Sequence, residues 1–139
     1  MRVLSFDPGG TTGWCCMDKQ DDKKMPGLLV ERGDFPGWSN IEELLIKFKP
    51  DVVTFEVFRL YAHKAQAKSW DTFLVVEVIG VIKYLCAKLD IKIVEQTPSQ
   101  GKQFFHTDKL KALGLYQKIT HINDATGHAL YFLKFGGAR

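Results

Sequence analysis

The chain of 139 residues is 45% hydrophobic and 25% charged, proportions that suit one globular domain over residues 1–139 and exclude a disordered or fibrous chain. Nineteen Lys and Arg against sixteen Asp and Glu leave a net charge of +3, which suits a polyanionic partner without demanding one. Three cysteines, two of them adjacent, write neither a disulfide framework nor a zinc module and point to a reducing cytoplasm; Glu77 and Lys83 break the richest apolar stretch and Asp7 interrupts any signal-peptide core, so no membrane association is expected.

Three short β-like segments open the chain at residues 3–7, 13–17 and 28–34, separated by Pro8-Gly9-Gly10 and by a polar stretch ending in Pro26-Gly27. They read as an antiparallel meander. Ser39 with Glu42 three residues later has the form of a capping box for a helix over residues 40–47, ending before Pro50. The β-branched run at residues 52–57 then reads as a buried central strand. Beyond a basic, aromatic loop at residues 59–69, residues 70–89 form a long helix whose apolar stripe is Leu74, Val78, Val81, Ile82, Leu85 and Leu89. A fifth strand follows at residues 91–94, then an irregular stretch from Pro98 to Tyr116, and a last helix over residues 120–135 that stops at Gly136-Gly137. The order βββαβαβα predicts an α/β fold: a mixed five-stranded sheet, antiparallel over its first three strands and extended by parallel crossovers, flanked by helices.

Three groups of residues have the makings of a chemical site. Asp7 ends a hydrophobic strand and is followed by glycines, which hold a carboxylate at a sheet rim and let backbone approach a ligand. Glu56 puts a charge where a buried strand should stay apolar, and an unpaired buried carboxylate is costly enough to call for a cation or a partner. In the last helix His121, Asp124 and His128 are spaced i, i+3 and i+7, so they share one face, while Ile122, Ala129, Leu130 and Leu133 occupy another. If the first and fourth strands are neighbours these groups converge, and hard oxygen ligands of this kind suit Mg²⁺ or Mn²⁺. Cys15 and Cys16 read as small packing residues of the second strand.

The chain resembles the RuvC-type Holliday junction resolvases of the RNase H-like superfamily, especially the short bacteriophage versions. The resemblance rests on Ser5-Phe6-Asp7-Pro8-Gly9 with Thr12-Gly13-Trp14, on Val53-Thr54-Phe55-Glu56-Val57-Phe58, on Glu95-Gln96-Thr97-Pro98-Ser99 with Lys102, and on Asp124-Ala125. It implies an RNase H-like nuclease domain that hydrolyses branched DNA, a four-way junction or fork, with two divalent ions, in the cytoplasm (the host's, for a phage-encoded protein). By resemblance Asp7, Glu56 and Asp124 are the catalytic and metal-binding carboxylates. Many relatives carry Asp-x-x-Asp in the last helix; here His121 falls where the earlier Asp would be, making it the fourth ligand, with His128 behind the ligands. A second register would lay His128-Ala129-Leu130 over the family's Asp-Ala-Leu but leave Asp124 out of place, and the first is preferred.

Arg59, Tyr61, His63, Lys64 and Lys68 interleave basic and aromatic side chains as phosphate clamps with stacking platforms do, and are assigned to DNA contact. Lys102 and Lys109 resemble lysines that relatives use beside the scissile phosphate, although the usual glycine-rich stretch between them is shortened to Phe104-Phe105-His106-Thr107. Phe73, Val76, Gly80, Tyr84 and Ala87 lie on the far side of the long helix, where a solvent-facing surface would carry charge, so a homodimer through this helix is expected. Other readings stand at this point: a nuclease of the same fold acting on forks, flaps or RNA/DNA hybrids, a branched-DNA binder without catalysis, or an ATP-binding module, since residues 7–13 also resemble the phosphate loop of sugar kinases and heat-shock ATPases.

Overall fold

A computed structural model describes residues 1–57 and 70–136, apart from the side chains of Asp71 and Lys102. Five strands, β1 (Arg2–Asp7), β2 (Thr11–Lys19), β3 (Gly27–Pro36), β4 (Val52–Glu56) and β5 (Lys92–Gln96), form one sheet in the order β3-β2-β1-β4-β5. β1–β2 and β2–β3 pair antiparallel, and β1–β4 and β4–β5 pair parallel. This is the mixed sheet expected from the element order, with each early strand extended beyond its predicted bounds and the fifth displaced towards Gln96. Helices α1 (Ile41–Phe48), α2 (Trp70–Lys88), α3 (Thr107–Ala112) and α4 (Thr120–Phe135) flank it.

The alternation of strand side chains divides the interior in two. Leu4, Phe6, Trp14, Cys16, Phe35, Val53 and Phe55 face α1 and α2 and pack on Ile41, Leu45, Phe48, Val78 and Ile82. Val3, Cys15, Met17, Val52 and Val94 face the other way, against Ala129, Leu130 and Leu133 of α4 and Leu110 of α3. All three cysteines are free and buried, and burial raises the thiol of Cys15 to about 12 and those of Cys16 and Cys86 to about 11, consistent with packing roles.

Three local expectations are corrected. The capping box does not form: Ser39 donates its hydroxyl to the Pro36 carbonyl, and α1 starts without a side-chain cap. On α2 Leu74 is half-buried and Leu89 falls just past the helix end, exposed, while Ile79 and Cys86 join Val78, Ile82 and Leu85 in the core. The stretch from Pro98 to Tyr116 is ordered, as a π-helical turn at Ser99–Gln103 and α3, because Phe105, Leu110 and Leu115 supply enough apolar surface to dock on α4. None of the described helices is long and apolar enough to cross a membrane.

Candidate active site

The parallel register of β1 and β4 sets Phe6 beside Phe55, so Asp7 and Glu56, one residue further on, leave the sheet side by side at the carboxyl ends of two central strands. Strand parity decides their direction. Asp7 follows Val3 and Ser5, Glu56 follows Val52 and Thr54, and these face α4. Glu56 therefore ends its strand at a rim, 19% exposed, and does not interrupt a buried run.

The position of α4 follows from Gly13, the antiparallel partner of Asp7. A Cβ at Gly13 would fall on the backbone of His121, so only glycine lets the first turn of α4 lie on β2 at that point. Asn123 fixes the approach, accepting from the Gln117 amide at 3.0 Å and donating to the Gln117 carbonyl at 2.7 Å. Arg32 ties the same region to β3 through the Leu115 carbonyl at 2.5 Å.

The predicted stripe on α4 consequently descends from solvent into the core. His121 at the outer end is exposed, its Nδ1 3.1 Å from Oδ2 of Asp7. Asp124, one turn on, is half-buried. His128, a further turn on, is fully buried, with Nε2 3.1 Å from Oε2 of Glu56 and Nδ1 2.6 Å from Oε1 of Gln96. Gln96, the β4–β5 partner of Glu56, also donates to the His128 carbonyl at 3.0 Å.

Carboxylates from two strands and an Asp and His from one helix thus share one rim, and oxygen donors with an imidazole fit a hard or borderline divalent cation. Among the described residues no three such side chains form a ready cluster; Asp7 and Glu56 are each turned to an imidazole.

One relative, "Crossover junction endodeoxyribonuclease RuvC" of Prochlorococcus marinus subsp. pastoris, is 30% identical over 113 residues, 73% of this chain and 68% of that protein. The chain belongs to the RuvC family. No family model matches it. Among solved structures, T. thermophilus RuvC in complex with Holliday junction substrate is similar with a TM-score of 0.74 at 18% identity, over 98% of this chain and 94% of that one. The Fowlpox virus resolvase, solved with Holliday junction DNA, is similar at 0.60 and 17%, over 96% and 97%. These likenesses carry the RNase H-like fold expected above.

For the rest of the sequence assignment in this RuvC-family chain, Arg59, Tyr61, His63, Lys64 and Lys68 lie outside the described residues, as does the side chain of Lys102. Lys109 places its ammonium 3.6 Å from the Phe104 ring centroid. Phe104 packs on Tyr131 and Phe135, seven and eleven residues beyond Asp124 on α4, about 10–17 Å along the helix. The described contacts of Lys109 are therefore with this aromatic cluster and not with the carboxylates. Lys111 likewise stands 4.9 Å from the Tyr116 ring. Sequence reasoning assigned no role to Gln96; the available signal was its parity with Val94, which turns an amide into the α4 face.

Proposed function

We propose that this RuvC-family chain is a metal-dependent, structure-specific endodeoxyribonuclease that cleaves branched DNA as a Holliday junction resolvase. The observation that supports the reading is that Asp7 and Glu56 leave the ends of adjacent parallel strands, with His121 of the helix laid over them 3.1 Å from Asp7 and Asp124 one turn further along that helix. Asp7, Glu56, His121 and Asp124 would hold one or two divalent ions, Mg²⁺ or Mn²⁺, which when bound polarise the scissile phosphate and make water a better nucleophile.

The chain's own groups prepare that chemistry. Asp7 and Glu56 are anchored by the sheet, so their separation is set by strand pairing and not by a loop. His121 orients Asp7 through Oδ2. Thr12 holds the Pro8-Gly9-Gly10 turn beside Asp7, its hydroxyl accepting from the Gly9 amide at 3.3 Å while donating to the Gly37 carbonyl at 2.6 Å. Arg59, Tyr61, Lys64, Lys68 and Lys102 are proposed as DNA contacts on the strength of their residue types.

We assign the active species as a homodimer through α2, whose outer side exposes Phe73, Val76 and Tyr84, with Gly80 open beside them. A two-fold pair would offer two sites to a substrate that is itself close to two-fold symmetric. Light scattering should show a dimer that Gly80→Glu dissociates. The deciding assay is cleavage of a panel comprising a four-way junction, a fork, a flap and an RNA/DNA hybrid, with Mg²⁺ and with Mn²⁺. Paired symmetric nicks in the junction are expected; preferential cutting of the hybrid would overturn the assignment.

A further inference from the structure

We infer that Gln96 and His128 are positioning residues for Glu56. The inference rests on the metal-nuclease reading above and deepens it. Gln96 and His128 are both fully buried, and the bonds between them close a ring: the Gln96 amide donates to the backbone carbonyl of His128 while its oxygen meets Nδ1 of the same residue. A carbonyl only accepts, so the Gln96 amide cannot be reversed without setting two acceptors against each other. Oε1 is therefore the atom at Nδ1, and Nδ1 carries a hydrogen.

That assignment leaves Nε2 as the ring nitrogen that faces Oε2 of Glu56 at 3.1 Å, and one proton between the two atoms, carried on Nε2 or on Oε2, makes the contact a hydrogen bond. An imidazole whose far nitrogen is held by a carbonyl oxygen is the arrangement that fixes tautomer and ring plane around metal sites. The ring is also gripped sterically. A Cβ at Gly101 would lie on the His128 imidazole and one at Gly127 would stand 3.1 Å from the Gly101 carbonyl oxygen, so the π-helical turn packs closely over the ring. Gln96 from β5 and His128 from α4 thus set the plane of the Glu56 carboxylate at the end of β4. A stability requirement alone would be met by apolar residues here, as it is on the opposite face of the sheet.

The test measures Mn²⁺ binding to the DNA-free protein by isothermal titration calorimetry, alongside Tm and steady-state cleavage of a four-way junction. Gln96→Leu should weaken Mn²⁺ binding about tenfold and lower kcat by a similar factor with KM for the junction unchanged. Leu110→Ala, in the same core but away from the ring, should lower Tm without moving either. In a Glu56→Gln background Gln96→Leu should add nothing, because its effect passes through Glu56. Should Gln96→Leu fail to fold, Gln96→Asn, which withdraws the amide by one methylene, serves the same comparison. A parent that binds Mn²⁺ while the Gln96 variants bind it equally well overturns the positioning role alone. A parent that cleaves junctions yet takes up no Mn²⁺ overturns the metal reading and this inference with it.

Discussion

The same strands that send Leu4, Phe6, Val53 and Phe55 towards α1 and α2 send Ser5 and Thr54 towards α4, where Gln96 of β5 joins them. On the first face, among the described residues, the buried polar side chain is Thr12 at the rim, satisfied by the Gly37 carbonyl. On the second, Ser5, Thr54, Gln96, Thr126 and His128 are buried beneath or within α4. Because side chains alternate with a period of two, a strand can serve an apolar layer and a polar one without compromise between them. One face of this sheet supplies stability, and the other gives some of it up to hold carboxylates where chemistry can use them.

The largest effect should come from the second face. Asp7→Asn and Glu56→Gln are expected to lower cleavage about 1,000-fold or more, roughly 4 kcal/mol of transition-state stabilisation, while junction binding in a gel-shift assay and the thermal midpoint stay near the parent's. Chelation of divalent ions should reproduce the loss in the parent. Normal turnover by Asp7→Asn would remove the distinction between the faces altogether.

The complementary substitution on the first face is Phe55→Ala, next to Glu56 in sequence but pointing the other way into the core. It should cost about 3–5 kcal/mol of stability by urea unfolding, the usual penalty for emptying a buried aromatic site. Protein that remains folded at low temperature should keep the parent's kcat. A large fall in kcat for the folded fraction would show that the layers are coupled.

The contrast was partly legible in the sequence. The alternation of residues 3–7 and the β-branched run to Glu56 were enough to identify two central strands, and the spacing in residues 120–135 gave α4 with its bounds, because these signals are local and periodic. That Asp7 and Glu56 leave adjacent strands was only a conditional expectation, since neighbourhood in a sheet depends on pairing across 49 residues. The partnership of Gln96 with His128 spans 32 residues and two kinds of element, and no local pattern encodes it. The helical turns between Pro98 and Tyr116 were missed for a related reason: each is too short to be stable alone, and docking on α4 makes them.

A smaller effect would sharpen the description of the polar face. His121 brings nitrogen to a site otherwise built from oxygen, and imidazole favours transition ions over Mg²⁺. The ratio of Mn²⁺-supported to Mg²⁺-supported cleavage should therefore fall about tenfold in His121→Asp, chiefly by a gain with Mg²⁺. Titrating each ion against initial rates provides the measurement, and an identical metal profile in both proteins would remove His121 from the ligand set.

The smallest effect is the most direct test of whether the polar face gives up stability. Thr54 Oγ1 and Ser5 Oγ, on residues paired across β4 and β1, are buried with no hydrogen-bond partner among the described groups. A buried hydroxyl without a partner costs about 1–3 kcal/mol relative to one that is satisfied. Thr54→Val replaces that hydroxyl with a methyl group of similar size and keeps the β-branched shape that suits a central strand. The substitution should therefore raise the urea midpoint by the equivalent of about 1 kcal/mol with the slope of the transition unchanged. Since the strand fixes Glu56 through its backbone, kcat on junctions should stay within about twofold, less than 0.5 kcal/mol. A loss of stability would mean that the Thr54 hydroxyl is hydrogen-bonded in solution. Thr54 would then belong with Gln96 and His128 among the groups that hold the site, and the division between the faces would run one residue pair deeper into the sheet.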